Sequence, residues 1–443
     1  MKHQAVCAPD WLRKGSIYQI NPRTFSPEGT LNAVTRELPK LKELGFSIMY
    51  LCPIFEEDAS ENRANWSERQ KKYGTENPKN PYRMNDYFTI DSEYGTMDDL
   101  RGLIDAAHAL GMRVLLDLVY LHIGPDAPIL KRHPEFARQD ADGNILLSQW
   151  HFPTLDFNCP GLREYLWCNM VYYVGEMDAD GFRCDVGDGV PIDFWNEGRR
   201  RIQAVKPDAV LINEGRNWDY LLTGFDASYY FDWHECLYRV FLGEKPLDEL
   251  RKISTPENFP EGGLLLRDID NHDTVTDWSA RTEIVAGHDG MELIEIVNYL
   301  IDGIPMVYCG NELADEANIN MFANRFHMGR YEVTDRSIAG RDYSLRRQEI
   351  MKRLNSLKRE RTVLQYGITR WLPCPEDNHV IAFERSLSGE RIVLVASIAD
   401  APLSVQIEDL PEGAKILMSR GGCTDGCEIR LERFGYIVLD AVQ

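Results

Sequence analysis

The chain has 443 residues, of which 49 are lysine or arginine and 70 are aspartate or glutamate, so its formal net charge is −21. A negative charge of this size argues against nucleic acid or an anionic membrane surface as a partner. No apolar run approaches the roughly 20 residues of a membrane-spanning helix, and residues 1–20 lack the features of a signal peptide. Ten cysteines without a secretion signal suggest free thiols in a reducing compartment, so we expect a cytoplasmic protein.

The first part of the chain alternates short apolar runs with helical patterns. Apolar runs predict buried strands over residues 16–20, 46–52 and 112–118. The helical pattern between the first two contains Pro39, which predicts a kink or a second helix start. The polar segment 53–95 is too long for a simple connection, which predicts a functional role for it. Residues 119–160 contain proline, glycine and aromatic residues with little periodicity, which predicts an inserted domain.

The same alternation continues downstream. Further strands are predicted over residues 180–185, 209–214, 225–231, 264–270 and 304–308, separated by helical patterns. Eight strands in this arrangement predict an α/β fold, a parallel (β/α)8 TIM barrel. We assign residues 1–118 and 161–362 to the barrel and 119–160 to the inserted domain. From residue 363 to 443, short strands split by turn residues predict a small C-terminal antiparallel β domain.

Three carboxylates stand at the ends of separate predicted strands: Asp185, Glu214 and Asp273. The carboxyl ends of parallel barrel strands meet at one face, where barrel active sites lie. Arg183 lies two residues before Asp185 and therefore on the same face of its strand, where a cation favours the ionised carboxylate. Taken alone, that pair fits a structural ion pair at a strand end equally well.

Several short motifs occur in a fixed order along these elements. They are Pro-Tyr-Arg-Met-Asn-Asp-Tyr at 81–87, Asp-Leu-Val-Tyr-Leu-His at 117–122, Thr-Leu-Asp-Phe-Asn at 154–158, Gly-Phe-Arg-Cys-Asp at 181–185, Glu214, and Asn-His-Asp at 271–273. Together they resemble the signature regions of the α-amylase family, glycoside hydrolase family 13, over about residues 15–308. The resemblance implies a retaining hydrolase that cleaves α-glucosidic bonds in α-gluco-oligosaccharides through a covalent glycosyl-enzyme intermediate.

The resemblance also implies a role for each matched residue. Asp185 matches the nucleophile, Glu214 the general acid and base, and Asp273 the carboxylate that holds sugar hydroxyls in the transition state. The residues that match sugar-binding or supporting positions are Tyr82, Asp117, His122, Arg183 and His272. In the family, the residue matched by Asp117 orients the arginine matched by Arg183, and a retaining mechanism needs its two carboxyl groups about 5–5.5 Å apart.

The sequence also departs from the family pattern. Gly189 stands where a histidine is common, and Leu121 replaces an asparagine that commonly binds calcium. Because a leucine side chain offers no oxygen ligand, we expect no calcium site. We also expect no other metal and no cofactor. The close pair Cys423 and Cys427 lacks matching ligands and is predicted not to bind metal.

Two other functions remain open. One is a transglycosylase or a sucrose or glucoside phosphorylase-like relative that shares the covalent intermediate. The other is a catalytically silent, carbohydrate-binding barrel, against which the three intact carboxylates weigh. Linkage preference, chain length, exo or endo action and oligomeric state stay open from the sequence.

Overall fold

The computed structural model describes residues 3–327, 332–374, 378–407, 410, 413–425 and 428–442. In chain order, the strands up to residue 308 are β1 (Ile17–Ile20), β2 (Ile48–Leu51), β3 (Phe55–Glu57), β4 (Met84–Ile90), β5 (Arg113–Leu118), β6 (Gly181–Cys184), β7 (Val210–Asn213), β8 (Ala227–Ser228), β9 (Leu266–Arg267) and β10 (Ile304–Tyr308).

All of these strands except the antiparallel pair β3 and β4 form one parallel sheet, in the order β8-β7-β6-β5-β2-β1-β10-β9. The two edge strands meet at Ser228, whose backbone N–H donates to Leu264 O at 2.9 Å and which bridges to Leu265. The sheet therefore closes on itself, and the predicted TIM barrel is confirmed.

Helices follow most barrel strands. They are α1 (Asp10–Lys14), α2 (Pro22–Phe25), α3 (Leu31–Glu43), α4 (Glu68–Lys72), α5 (Met97–Ala109), α6 (Pro128–Arg132), α7 (Pro160–Gly175), α8 (Ile192–Val205), α9 (Phe231–Phe241), α10 (Asp248–Lys252), α11 (Thr274–Asp277), α12 (Thr282–Leu300), α13 (Asp342–Glu360) and α14 (Thr362–Tyr366). Gly287 interrupts α12 with non-helical dihedral angles. Among the described residues, no helix combines the length and apolar character needed to cross a bilayer.

The sequences of the barrel strands are continuous apolar runs because both faces of the sheet are covered. Every residue of β1, β2, β6, β7 and β10 is buried. Successive side chains alternate between the two faces. One set fills the barrel interior and includes Ile17, Ile48, Leu115, Ile212 and Met306. The alternate set packs under the helices and includes Tyr18, Met49, Leu116, Phe182 and Leu211.

Two predicted strands are much shorter in the structure. The strand predicted over residues 264–270 is observed only at Leu266–Arg267. Residues 225–231 were predicted as a strand, but only Ala227–Ser228 pairs with β7, and α9 already begins at Phe231. The aromatic residues there are buried by packing rather than by sheet pairing. Pro39 was expected to kink or restart its helix, and the restart is absent because α3 continues past Pro39 to Glu43 as one helix. Burial of the apolar face of α3 outweighs the one backbone hydrogen bond that a proline removes.

The chain ends in an antiparallel sheet, as predicted. Its strands are β11 (Ile368–Trp371), β12 (Val380–Leu387), β13 (Glu390–Ser397), β14 (Leu403–Gln406), β15 (Lys415–Asp425) and β16 (Glu428–Val442). The domain boundaries at residues 119, 161 and 363 stay predictions. Among the described residues, the free thiols include Cys7, Cys52, Cys159, Cys168, Cys184, Cys236, Cys309 and Cys423, and Cys427 lies outside the described residues.

We predict that the mutation Gly181→Ala destabilises the barrel. Gly181 has a φ of +146°, and a Cβ at this position would lie 2.2 Å from the backbone oxygen of Val210 on the neighbouring strand. The clash should lower the free energy of unfolding by about 1–3 kcal/mol, measured by urea titration with circular dichroism.

Gly102→Ala is the matched control. Gly102 lies within α5, where an added Cβ meets no atom within 4 Å. Because alanine favours helix over glycine, this variant should gain about 0.5–1 kcal/mol. Equal stability of Gly181→Ala and the native chain would contradict the packing described here.

Candidate active site

The predicted site residues converge at the carboxyl ends of neighbouring barrel strands. Asp117 lies in β5, Asp185 directly follows β6 and Glu214 directly follows β7. Asp273 immediately precedes α11, in the loop after β9. These positions surround one cleft with a volume of 470 Å³. The predicted residues that line it are Tyr82, His122, Asp185, Glu214, His272 and Asp273.

The Arg183 guanidinium lies at the base of this cleft and contacts three carboxylates. Its Nη1 donates to Asp117 Oδ1 at 2.8 Å and to Asp185 Oδ1 at 2.9 Å. Its Nη2 lies 2.7 Å from Glu214 Oε1. The Arg183 side chain is 1% exposed, so these ion pairs are formed away from bulk water. Asp185 and Glu214 therefore contact two different nitrogens of the same guanidinium.

Asp117 is held on its other side by two tyrosines. Its Oδ2 accepts hydrogen bonds from Tyr50 at 2.5 Å and from Tyr82 at 3.2 Å. Asp117 and Arg183 are also register partners on the adjacent strands β5 and β6. Strand pairing and side-chain contacts therefore both hold Arg183 in place.

Glu214 is positioned by backbone as well as by Arg183. The backbone N–H of Val186 donates to Glu214 Oε2 at 2.8 Å. Val186 adopts φ 43° and ψ 47°, a left-handed conformation that is rare for a β-branched residue. The Glu214 side chain is 13% exposed and lines the cleft. Its carboxyl is therefore fixed in direction but still accessible.

Burial has the largest effect on the pKa of the Glu214 and Asp185 carboxyl groups. It raises the pKa of Glu214 above its ordinary value; Arg183 opposes this rise and Asp273 adds to it. Burial also raises the pKa of Asp185 well above its ordinary value, again against Arg183. The sequence had favoured the opposite direction for Asp185. The reason is that one guanidinium is shared among several buried carboxylates, so the group binds a proton more readily than isolated acids do.

Asp273 differs from the other two carboxylates. Its Oδ1 accepts a hydrogen bond from Arg69 Nη1 at 2.7 Å, and its Oδ2 lies 3.2 Å from His272 Nε2. Burial by itself would raise the pKa of Asp273, but His272, Arg69 and Arg183 together hold it well below its ordinary value. The Asp273 carboxylate is therefore ionised, while a third of the side chain stays exposed to the cleft.

Arg69 was not predicted from the sequence. It belongs to α4, within the polar segment 53–95 that was predicted to be functional. The segment contains several cations, however, and nothing in the sequence marks this one as the residue that reaches the cleft.

The two histidines and Tyr82 form a connected polar wall. The Tyr82 hydroxyl lies 2.6 Å from His272 Nε2, and the two rings stack with centroids 5.4 Å apart. Gln19 Nε2 lies 2.8 Å from His272 Nδ1. His122 Nε2 lies 2.9 Å from the backbone oxygen of Tyr82. Burial lowers the pKa of each histidine to about 4, so both imidazoles are neutral hydrogen-bonding groups at pH 7.

Two tryptophans in the long loops occupy different environments. Trp150 lines the cleft, and its ring lies 5.3 Å from that of His122. Trp66 is buried and donates from Nε1 to Ser60 O at 2.8 Å. Within the part of the chain that the structure describes, no group of three or more His, Cys, Asp or Glu residues could hold a metal ion.

Comparison with known proteins shows which family this chain resembles. The family model for the α-amylase catalytic domain matches residues 12–143. A cyclomaltodextrinase from Thermoanaerobacter pseudethanolicus is 24% identical over 446 residues, which cover 88% of this chain and 71% of that protein. A cyclomaltodextrinase from a Bacillus species is 28% identical over 356 residues, covering 69% of this chain and 60% of that protein. The chain is similar to glycosidases of the α-amylase family.

Solved structures show the same fold. An α-amylase from Lactobacillus plantarum superposes with a TM-score of 0.80 at 23% identity, over 98% of this chain and 100% of that chain. The (β/α)8 barrel with a C-terminal antiparallel sheet is therefore the architecture that such neighbours share.

We predict that His122 and His272 stay neutral from pH 8 to about pH 5, because burial lowers the pKa of each to about 4. The unfolded chain protonates a histidine near pH 6.5 and so binds protons that the folded protein does not. Both histidines should therefore reduce the free energy of unfolding as the pH falls from about 6.5 towards 4.

Nitrogen-15 NMR of the imidazoles across this pH range tests the expectation. His288 serves as the internal control, because its hydrogen bond to Glu283 raises its pKa above the ordinary value. The His288 signals should shift with a midpoint above about 6.5, whereas those of His122 and His272 should not move until the pH is lower. A midpoint near 6.5 for either buried ring would show that the site is more hydrated than the structure indicates.

Proposed function

We propose that this glycosidase cleaves α-glucosidic bonds in α-gluco-oligosaccharides with retention, by double displacement through a covalent glycosyl-enzyme intermediate. The observation that carries the proposal is the pairing of Asp185 and Glu214 on opposite arms of the Arg183 guanidinium, within an open cleft. This places two carboxyl groups close together, as a retaining mechanism requires.

In the first step, Asp185 attacks the anomeric carbon as the bond to the leaving oxygen breaks. Glu214 donates its proton to that oxygen, which leaves as a hydroxyl group. In the second step, the Glu214 carboxylate takes a proton from water, and the water oxygen attacks the anomeric carbon. The ester bond to Asp185 breaks, and Glu214 is again protonated. Two inversions at one carbon give net retention.

The pKa shifts favour one proton shared by Asp185 and Glu214, and the proposal places that proton on Glu214 before the first step. Burial raises the pKa of Glu214, which keeps it protonated to higher pH, as a general acid requires. Burial raises the pKa of Asp185 as well, against the hydrogen bond from Arg183 Nη1, which favours its ionised form. Asp273 stays ionised and is the acceptor available for sugar hydroxyls.

The neutral residues of the cleft support binding of an uncharged sugar. His122, His272 and Tyr82 offer hydrogen-bonding atoms without a net charge. Aromatic rings of Trp150 and Phe322 also line the cleft, and such rings stack on the apolar faces of sugars. A volume of 470 Å³ is in the range of small-molecule sites and favours a short oligosaccharide.

The names of the relatives favour α-linked gluco-oligosaccharides, including cyclic ones, as the substrate class. The chain spans 60–71% of the length of these two proteins, so their whole activity is not carried over to it. Transfer to a sugar or to phosphate would use the same intermediate and differ only in the acceptor. A cytoplasmic location stays a prediction.

We predict that Asp185→Asn lowers turnover of an aryl α-glucoside or α-maltoside by about 10⁴-fold or more, since the covalent step loses its nucleophile. Glu214→Gln should lower turnover by about 10²–10⁴-fold on a substrate with a poor leaving group, and less on a nitrophenyl substrate that needs little protonation. Release of the aryl group measures both effects.

Asp105→Asn, on the exposed face of α5, is the control and should behave like the native chain. If both active-site variants kept native turnover, the catalytic roles of Asp185 and Glu214 would be excluded. If the native chain bound oligosaccharides without any turnover, it would instead be the silent, carbohydrate-binding barrel.

We also predict that the first product released is the α-anomer. Proton NMR during the first minutes of hydrolysis of a malto-oligosaccharide should show the α-anomeric signal before mutarotation adds the β-form. An initial β-anomer would indicate inversion and contradict the covalent intermediate. New glycosidic or phosphate-ester signals would indicate transfer rather than hydrolysis.

A further inference from the structure

Arg69 reaches the cleft from a part of the chain that the barrel does not itself position. It lies in α4, in the long segment between β3 and β4. Its Nη1 donates to Asp273 Oδ1 at 2.7 Å, and its Nε donates to Asp277 Oδ1 at 2.7 Å. Arg69 thus joins this segment to both ends of α11, and its guanidinium lines the cleft.

The backbone around Arg69 is held firmly. The neighbouring side chain of Gln70 is buried and donates from Nε2 to the backbone oxygen of Asn77 at 3.0 Å. Asn77 in turn donates from Nδ2 to the backbone oxygen of Phe322, across the cleft wall, at 3.1 Å. The Arg69 guanidinium lies 5.5 Å from the Phe322 ring centroid. These contacts fix where the Arg69 side chain can point.

The charges around Asp273 explain why a cation is needed there. Asp273 shares the cleft with the carboxyl groups of Asp185 and Glu214, which repel its charge. The adjacent imidazole of His272 is neutral at pH 7 and cannot compensate the charge fully. The Arg69 guanidinium binds one oxygen of Asp273 and provides the positive charge. The other oxygen lies beside His272 Nε2, and a third of the side chain faces the cleft.

We propose that Arg69 is a positioning residue that fixes the orientation of the Asp273 carboxylate for the donor sugar. The inference rests on the proposed function, in which Asp273 holds sugar hydroxyls during the transition state. Because a guanidinium binds a carboxylate directionally, Arg69 sets which lone pairs of Asp273 remain free for the sugar. Asp277 anchors the same guanidinium from outside the cleft and keeps it from turning away.

The first test compares Arg69→Met and Arg69→Lys with the native chain on an aryl α-maltoside. Arg69→Met should lower kcat by about 10²-fold with a much smaller change in KM, because a misplaced group costs most in the transition state. Arg69→Lys should recover part of this loss, since lysine restores the charge but not the planar geometry. Guanidinium ion added to Arg69→Ala should also restore activity.

Arg63→Met is the matched control. Arg63 lies in the same segment, and its side chain is 52% exposed, with an ion pair to Glu76 at 3.5 Å and no contact with Asp273. It should retain native kcat and KM. Melting temperatures of all variants separate loss of positioning from loss of folding.

The second test asks whether Arg69 acts through Asp273, using a double-mutant cycle with Asp273→Asn. In that background, Arg69→Met should lower kcat by less than about threefold, because the partner it positions is already changed. Calorimetric binding of a glucose-derived iminosugar repeats the cycle without turnover. An equal loss in both backgrounds, or unchanged kinetics of Arg69→Met in an active native chain, would overturn the inference. Absence of glycosidase activity in the native chain would instead refute the proposed function.

Discussion

The site depends on one buried guanidinium shared by three carboxylates. Arg183 contacts Asp117, Asp185 and Glu214 while it is almost fully removed from water. One positive charge cannot compensate three ionised acids in such surroundings, because burying a charge is costly unless it is paired. The group therefore tends to keep a proton. An acid that stays protonated beside a base that does not is the state from which glycoside cleavage begins.

The barrel makes this arrangement possible through strand register. Asp117 and Arg183 face each other on β5 and β6, and Asp185 follows two residues later on the same face. Glu214 leaves the next strand at the same level, and Val186 turns its N–H towards it. Because hydrogen-bonded strands cannot slip by one residue without reversing every side chain, the fold fixes the relative positions of these groups without contributions from flexible loops.

Much of this could be predicted because it depends on local pattern. Apolar runs predicted the barrel strands, and the motifs at their ends predicted Asp185, Glu214 and Asp273. All three line one cleft in the structure. What could not be predicted depends on tertiary contacts. The short strand β8 is limited by how α9 packs, and the helix through Pro39 is kept by burial.

The direction of the pKa shift of Asp185 and the position of Arg69 could not be predicted from the sequence, for the same reason. The first depends on how many carboxylates share Arg183 and on how deeply they are buried, neither of which a strand pattern reports. The second depends on how a segment of about forty residues folds back over the barrel. Motif matching finds residues at strand ends, whereas no sequence motif identifies a side chain that a long loop brings to the site.

The left-handed backbone at Val186 has a consequence for how this enzyme would respond to selection. A β-branched residue in this conformation costs roughly 1–3 kcal/mol, and glycine would remove most of that cost. The same conformation aims the N–H that holds Glu214. Directed evolution for heat tolerance alone would thus favour glycine at this position and would give variants with higher thermal stability but lower turnover. A screen that scores both properties would keep the valine.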